Sequence, residues 1–190
     1  MPRAGLSPDA VVDHALALID EQGPDALTLA AVAARAGVAT PSLYKHVPGG
    51  LAALRRLIAI RVTGELADRL HQETVGRTGD EAVGACLRAY HSYAVEHPSR
   101  YAALPQAPAP SDDELSQAAT RLVGTVISLL GDYGIEGAEA IHAARAIRSV
   151  SHGFAALSIA GGFQLGEDLT VTQDRLIAVL TGGLRRWPTG

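Results

Sequence analysis

Residues 28–47 read TLAAVAARAGVATPSLYKHV, and this stretch decides the fold. Thr28 is a favourable N-cap, and the alanine-rich run behind it is a strong helix former. Gly37 ends that helix, because glycine readily adopts the left-handed conformation found at helix C-termini. Pro41 then favours a second short helix over 40–45, since proline is common in a first helical turn. Two short helices joined by a glycine-containing turn predict a helix-turn-helix.

Proline and glycine divide the rest of the chain into further helices. Ser7 and Pro8 predict the start of the first helix, and Gly23 predicts its end. Three prolines within 104–111 exclude a helix there. The predicted helices cover residues 8–22, 29–36, 40–45, 51–70, 80–96, a short piece after 98, 112–130, 136–160 and 172–186. Because no alternation of apolar and polar residues is long enough for a strand, we predict an all-α fold of nine helices.

The predicted helices fall into two groups, which indicates two domains. A chain of 190 residues is long enough for one small and one larger domain. We expect a helix-turn-helix domain at 1–50 and a connecting helix at 51–70. The remainder, 71–190, is expected to form a helical bundle for dimerisation and ligand binding.

The composition indicates a cytoplasmic protein. Aromatic residues make up 4% of the chain, so its apolar mass is mainly Ala, Leu, Val and Ile. The single cysteine, Cys86, cannot form an internal disulfide, which fits a reducing compartment. No apolar run approaches the roughly 18 residues that a membrane-spanning helix needs, and the N-terminus lacks a secretory signal.

The distribution of charge matters more than the formal net charge of −4. Residues 26–64 contain no acid, but they contain five bases: Arg35, Lys45, Arg55, Arg56 and Arg61. A local excess of positive charge attracts DNA phosphates whatever the charge of the whole chain. The stretch therefore predicts a nucleic-acid interface.

The second short helix is expected to have one anchored side and one free side. Val38 and Leu43 are apolar and are expected to hold it against the core. The other residues remain available for the groove of DNA or its phosphates: Ala39, Thr40, Pro41, Ser42, Tyr44, Lys45 and His46.

The same stretch resembles the helix-turn-helix of the tetracycline-repressor-like (TetR) family of bacterial regulators. The match covers about the first sixty residues and rests on the capping threonine, the Ala-Gly-Val turn and the Leu-Tyr-x-His motif at 43–46. The resemblance implies a dimeric transcriptional regulator, by family default a repressor. It implies phosphate contacts from Thr28 and Tyr44, which position the protein, and base contacts, which specify sequence, from Thr40, Pro41, Ser42 and Lys45. Arg35, Gly50 and Arg55 complete the expected DNA-binding set.

Two positions depart from the family pattern. Val47 stands where phenylalanine is usual, and Gly50 stands where a lysine usually opens the fourth helix. Gly49 and Gly50 are expected to offer bare backbone N–H groups to a phosphate at the helix start. Arg55 or Arg56 is expected to supply the missing charge.

The last two long predicted helices suggest how two subunits pair. Apolar or small residues cover most of helix 136–160, so it should contact a partner as well as its own core. Two such helices from each subunit can form a four-helix interface about a two-fold axis, and TetR-like regulators dimerise in this way. The expected interface residues are Ala140, Ala144, Ile147, Ser151, Phe154, Leu176, Leu180, Leu184 and Trp187. Such a dimer would present its recognition helices to successive major grooves of a palindromic operator, about 34–36 Å apart.

Polar and aromatic residues among aliphatic helices are the candidates for contact with a small-molecule effector. They are Tyr90, His91, Tyr93, Tyr101, His152 and Phe163. Residues 151–157 also resemble the C-terminal "WHG" subgroup of the family, without its tryptophan. An effector that prefers a conformation with wrongly spaced recognition helices would release the DNA.

Two other classes of protein fit parts of the sequence. Glu139 and His142 have the spacing of one half of a di-iron site, for which Asp68 and His71 are an approximate second half. A helical interaction module that dimerises without binding DNA would place the same bases on a solvated face. No metal and no cofactor is expected for the regulator.

Overall fold

The computed structural model describes residues 6–105 and 112–188. In that part of the chain it has nine α-helices and no strand, which confirms the predicted all-α class. The helices are α1 Pro8–Gln22, α2 Leu29–Ala36, α3 Thr40–Leu43, α4 Gly50–Thr74, α5 Gly79–Glu96, α6 Pro98–Ala102, α7 Asp113–Leu130, α8 Gly137–Ile159 and α9 Leu169–Leu184. None of these helices is long and apolar enough to cross a membrane. Most of the loop expected at 104–111 lies outside the described residues.

Most helix ends agree with the sequence prediction, and the exceptions have local causes. α3 stops at Leu43, because the N–H of His46 donates to the carbonyl of Leu43 at 2.8 Å and turns the chain. α4 runs four residues beyond its predicted end at 70. α9 begins before the predicted 172, because the Asp168 carboxylate caps it by accepting the N–H of Thr170 at 2.7 Å.

The chain packs as two compact units, each of which is described by itself. The first comprises Met1–Thr63 and His97–Ser116, and the second comprises Gly64–Glu96 and Gln117–Gly190. The divisions fall within α4 and α7, and the short helix α6 belongs to the first unit. These units follow packing, whereas the expected domains follow function, so the domain boundaries remain a prediction.

The first unit is built around α1. This helix packs against α2 and α6, and α2 packs against α3. Ser7 caps α1 by accepting the N–H of Ala10 at 3.1 Å. Arg100 of α6 donates to the Asp20 carboxylate of α1 at 2.6 Å, so an ion pair supports the packing of α6. The buried face of α1 consists of Val11, Val12, Ala15, Leu16, Leu18 and Ile19.

The second unit is built around α5. This helix packs against α8 and α9, which also contact each other. Cys86 lies in its core, and burial raises the pKa of the thiol to about 12. The indole N–H of Trp187 donates to the Glu139 carboxylate at 2.8 Å, and Arg88 pairs with Asp174 at 2.7 Å. These bonds hold α9 against α8 and α5.

Candidate nucleic-acid interface

Thr28 begins one edge of the helix-turn-helix. Its backbone is extended, and its Oγ1 accepts the N–H of Ala31 at 3.1 Å. The hydroxyl proton is not used in this cap, because a threonine hydroxyl both accepts and donates. Thr28 is exposed, so its proton can be donated to a phosphate oxygen.

The turn between α2 and α3 depends on Gly37. Its φ of 67° and ψ of 31° lie in the left-handed region, where a side chain would be strained. The N–H of Val38 donates to the carbonyl of Ala33 at 3.0 Å, which satisfies a carbonyl at the end of α2. Ala39 is extended and precedes α3 directly.

α3 is anchored on one side only. Leu43 is fully buried, whereas the neighbouring residues keep part of their surface accessible. Ala39, Pro41, Tyr44 and Lys45 are exposed, and Thr40, Ser42 and His46 are half-buried. A short helix with one anchored and one accessible side has the arrangement that contact with a DNA groove requires.

Tyr44 keeps 51% of its surface accessible, although its ring lies beside the start of α4. A β-carbon added at Gly50 would lie 3.6 Å from Cε1 of Tyr44 and 3.8 Å from Cδ1 of Leu29. The φ of Gly50 is 66°, a conformation that glycine adopts without strain. Glycine at this position therefore serves the backbone turn, since both distances are ordinary van der Waals contacts.

The expected backbone contact from Gly50 to a phosphate is corrected by the structure. The N–H of Gly50 donates to the carbonyl of Val47 at 2.8 Å, so the donor is already used. Val47 itself is fully buried and fills its core position without the phenylalanine typical of the family.

Arg35 is engaged within the first unit. Its Nη1 and Nη2 donate to the two carboxylate oxygens of Glu21 at 2.7 and 2.6 Å, which forms a two-pronged ion pair. The hydrogen bonds from Arg35 lower the pKa of Glu21, so this carboxylate stays ionised at neutral pH. Two of the five N–H donors of Arg35 are used in this pair, so a phosphate contact by Arg35, expected from the sequence, would have to share the guanidinium with Glu21.

Two more bases of the acid-free stretch are paired as well. The partners of Arg56 are Asp112 and Glu114, and those of Arg61 are Asp9 and Asp13, at 2.6 to 3.0 Å. All of these acids lie outside residues 26–64. The fold therefore brings carboxylates from elsewhere in the chain to bases that look unpaired in the sequence.

Lys45 and Arg55 are the bases of this stretch without a carboxylate partner among the described residues. Both side chains are exposed. The sequence of the whole first unit holds seven Lys and Arg against eight Asp and Glu, a formal net charge of −1. The positive surface is therefore limited to a few side chains.

Several of the residues considered for effector contact meet in the second unit. Nε2 of His91 on α5 lies 3.1 Å from Oγ of Ser158 on α8, and its ring centroid lies 4.8 Å from that of Phe154. The ring of Phe163 follows at 5.3 Å from Phe154. Partial burial lowers the pKa of His91 below its ordinary 6.5, which favours the neutral ring. We call these four residues the His91 cluster.

The other effector candidates lie elsewhere. Tyr93 is buried and donates to Glu65 at 3.1 Å, and Tyr90 is half-buried on α5. His152 is exposed on α8, whereas Tyr101 is buried in the first unit. The sequence therefore indicated the His91 cluster only in part, since it did not single out Ser158 and assigned Phe154 to the dimer interface.

The expected dimer residues divide between the inside and the outside of the subunit. Ala140, Ile147, Ser151, Phe154 and Leu184 are buried within the chain itself. These side chains offer little surface to a partner, and the dimer interface stays a prediction. Ala144, Leu176, Leu180 and Trp187 are half-buried. The outward surfaces of α8 and α9 expose Ile141, Leu157, Val171 and Val179 by 48 to 72%.

The residues of the di-iron alternative have other partners. Glu139 accepts the hydrogen bond from Trp187, and Asp68 pairs with Arg121. Among the described residues, no three His, Cys, Asp or Glu side chains are grouped as metal ligands.

Comparisons with known proteins agree with this geometry. A family model described as "Bacterial regulatory proteins, tetR family" matches residues 11–48, and one described as "Tetracyclin repressor-like, C-terminal domain" matches 83–180. The chain is 38% identical over 188 residues to an uncharacterized HTH-type transcriptional regulator of Mycobacterium tuberculosis, Rv0681, covering 98% of this chain and 86% of that protein. It is 34% identical over 185 residues to another, YobS of Bacillus subtilis, covering 96% and 95%.

A solved structure has the same fold. A TetR variant from Acinetobacter baumannii in complex with minocycline matches with a TM-score of 0.73 at 20% identity, covering 98% of this chain and 100% of that one. The fold, the anchored helix α3 and the relatives together define a helix-turn-helix transcriptional regulator. Such a regulator is a DNA-binding protein and not an enzyme. The chain belongs to the TetR family, as its helix-turn-helix motif indicated.

Proposed function

We propose that this protein is a homodimeric repressor that binds a palindromic operator and is released from it by a small-molecule inducer. The observation that carries the proposal is α3, whose buried Leu43 leaves the rest of the helix accessible. Presented twice by a symmetric dimer, such a helix can enter two successive major grooves.

The DNA contacts follow from which side chains are accessible and unpaired. We assign base contacts to Thr40, Pro41, Ser42 and Lys45, with Ala39 and His46 beside them in the groove. Phosphate contacts are assigned to Thr28, Tyr44 and Arg55. Arg35 and Gly50 are left out, because Glu21 and the Val47 carbonyl already bind their donors.

The proposed subunit interface lies on the outward surfaces of α8 and α9. Exposed apolar side chains mark surfaces that bind other proteins, and Leu157 and Val179 are exposed by 49 and 72%. The half-buried Ala144, Leu176 and Leu180 extend this surface. The family pairs its subunits through these helices, which supports the same use here.

The His91 cluster is the proposed contact region for the effector. Its phenylalanine rings favour an apolar, aromatic molecule, and one polar group on that molecule would replace the hydrogen bond between His91 and Ser158. Because its lowered pKa keeps His91 neutral, the cluster favours an uncharged polar group over a carboxylate. The similar TetR variant was solved with minocycline, which supports small-molecule binding in this family.

Selection of bound sequences from a random DNA pool tests the proposal. A palindrome whose half-site centres lie about 10 base pairs apart, or a multiple of this, is expected. Gel shifts on the selected sequence should then show release by an aromatic effector. Enrichment of a single asymmetric site would contradict the dimeric arrangement, and no binding to any DNA at low salt would favour the interaction module.

A further inference from the structure

The ion pair with Glu21 engages the guanidinium of Arg35, a group that could otherwise bind a DNA phosphate. Both donor prongs of Arg35 bind the Glu21 carboxylate, at 2.7 and 2.6 Å. An arginine binds a phosphate with the same planar, two-pronged geometry. The Glu21 carboxylate therefore fills the place that two phosphate oxygens would take.

Arg35 lies on the side of α2 that begins at Thr28. Seven residues separate the two positions, which amounts to almost two full helical turns and brings both to one side of the helix. They are roughly 10 Å apart along its axis. Ala33, about 140° round the helix from Thr28, is buried in the core. A DNA backbone that contacts Thr28 would therefore pass near Arg35.

We propose that Glu21 competes with DNA phosphates for Arg35 and so reduces the number of phosphate contacts that each subunit makes. The inference rests on the proposed function, in which the exposed side of the helix-turn-helix binds duplex DNA. The sequence-independent affinity of the regulator for DNA is then lower than it would be if all of its arginines were free to bind phosphates. Phosphate contacts strengthen binding to all sequences alike, so Glu21 sets overall affinity and salt dependence.

Glu21 can be tested with a single substitution, unlike the acids that pair with the other bases of residues 26–64. Arg56 and Arg61 each bind two carboxylates, so one substitution leaves a partner in place. Asp112 also accepts the N–H of Leu115 at 3.1 Å, so its replacement would disturb the start of α7. Glu21 is exposed and Arg35 is its partner.

Asp25 provides a matched control for the charge change. It is an exposed acid of the same unit, and within the described residues no ion pair involves it. Asp25→Asn therefore adds the same formal charge as Glu21→Gln without releasing an arginine. A difference between these two variants reports on Arg35 and not on net charge.

The experiment measures binding of the full-length dimer to a mixed-sequence 30-base-pair duplex by fluorescence anisotropy across a range of NaCl concentrations. Each additional phosphate contact steepens the slope of log K against log salt by about 0.9. Glu21→Gln is expected to steepen it by about 1.8 for two subunits and to bind several-fold more tightly at 0.1 M salt. Glu21→Ala should behave in the same way, and circular dichroism melting verifies that each variant is folded.

Two further variants identify Arg35 as the group released. Arg35→Gln alone should bind within about two-fold of the original chain, because Arg35 does not contact DNA while Glu21 holds it. The double variant E21Q/R35Q should lose the gain of Glu21→Gln.

The inference is overturned if Glu21→Gln and Asp25→Asn have the same slope, or if Arg35→Gln alone flattens the slope, since Arg35 would then already bind DNA. In either case a binding loss on Lys45→Ala leaves the proposed function standing. If no variant binds duplex DNA at the lowest salt, both proposals fail.

Discussion

The two compact units differ in what they expose. Within the described residues, ten of the eleven large hydrophobic side chains with substantial exposure belong to the second unit, and Tyr44 is the exception. Both units carry surface ion pairs between arginines and acids, so ion pairs do not distinguish them. What distinguishes the first unit is the accessible side of α3, with the unpaired Lys45 beside it. Accessible, unpaired bases suit a polyanion, whereas exposed apolar side chains suit another protein surface. The difference supports the proposal that the first unit binds DNA and that the second binds the partner subunit.

The largest effect is expected when the exposed apolar surface of α8 and α9 in the second unit is removed. Leu157→Asp combined with Val179→Asp places charges on the outward sides of α8 and α9 and should leave the protein monomeric. Affinity for the selected operator should then fall by about 100-fold or more, because two linked binding modules gain that factor over one. Analytical ultracentrifugation and anisotropy titration measure the two effects.

A second double variant controls for added charge. Val75→Asp with Val95→Asp alters two exposed valines of the same unit outside α8 and α9. We expect this variant to remain a dimer with operator affinity within about two-fold. If it dissociated while the α8 and α9 variant stayed dimeric, the interface would lie elsewhere.

The next test removes the unpaired groups from the first unit. Tyr44→Phe together with Lys45→Ala should weaken operator binding by about 10-fold or more and leave the dimer intact, because hydrogen bonds to charged groups are lost in both subunits. The salt slope should also flatten. Arg35→Gln is the matched comparison. It also removes one positive charge from this unit, but that charge is already paired, so operator affinity should change little. If the two variants lost equal affinity for the operator, ion pairing within the subunit would not decide which bases contact DNA.

The sequence predicted this first unit well because its signals are local. The cap at Thr28, the left-handed Gly37 and the buried Leu43 act within a few residues of their place in the chain. The pairing of Arg35 with Glu21 was not predictable in that way, since the two lie 14 residues apart on different helices. The absence of acids from residues 26–64 therefore led the sequence analysis to expect more unpaired positive charge than the folded unit exposes.

The second unit was harder to predict because its interface helices are apolar on several sides. Phe154 and Leu157 of α8 are both apolar, yet the first is buried within the subunit and the second is exposed. Only packing against α5 decides which side of α8 faces inward, and hydrophobicity alone gives no direction. Asp168 was a local signal for the start of α9 that capping preferences could have revealed.

A smaller effect is expected where Tyr44, the exposed hydrophobic residue of the first unit, meets α4. Gly50→Ala should destabilise the protein by about 1–2 kcal/mol, because a side chain at positive φ is strained. Gly64→Ala in the same helix is the control. It meets no neighbouring atom and should be neutral or stabilise by about 0.5–1 kcal/mol. Chemical denaturation compares the two, and equal effects would show that the turn tolerates alanine.

The smallest effect concerns a titratable group inside the apolar second unit. Burial lowers the pKa of His91 in the folded protein below its ordinary 6.5, so the unfolded chain takes up the proton first. The contribution of His91 to the free energy of unfolding is complete above pH 6.5 and is lost as the pH falls below that value. Between about pH 7.5 and 5.5, the melting temperature should fall by on the order of 1–2 °C more in the original chain than in His91→Gln. His142→Gln, which changes an exposed histidine of α8, should keep the original pH dependence. If His91→Gln kept it as well, His91 would be as solvated as the charged surface of the first unit.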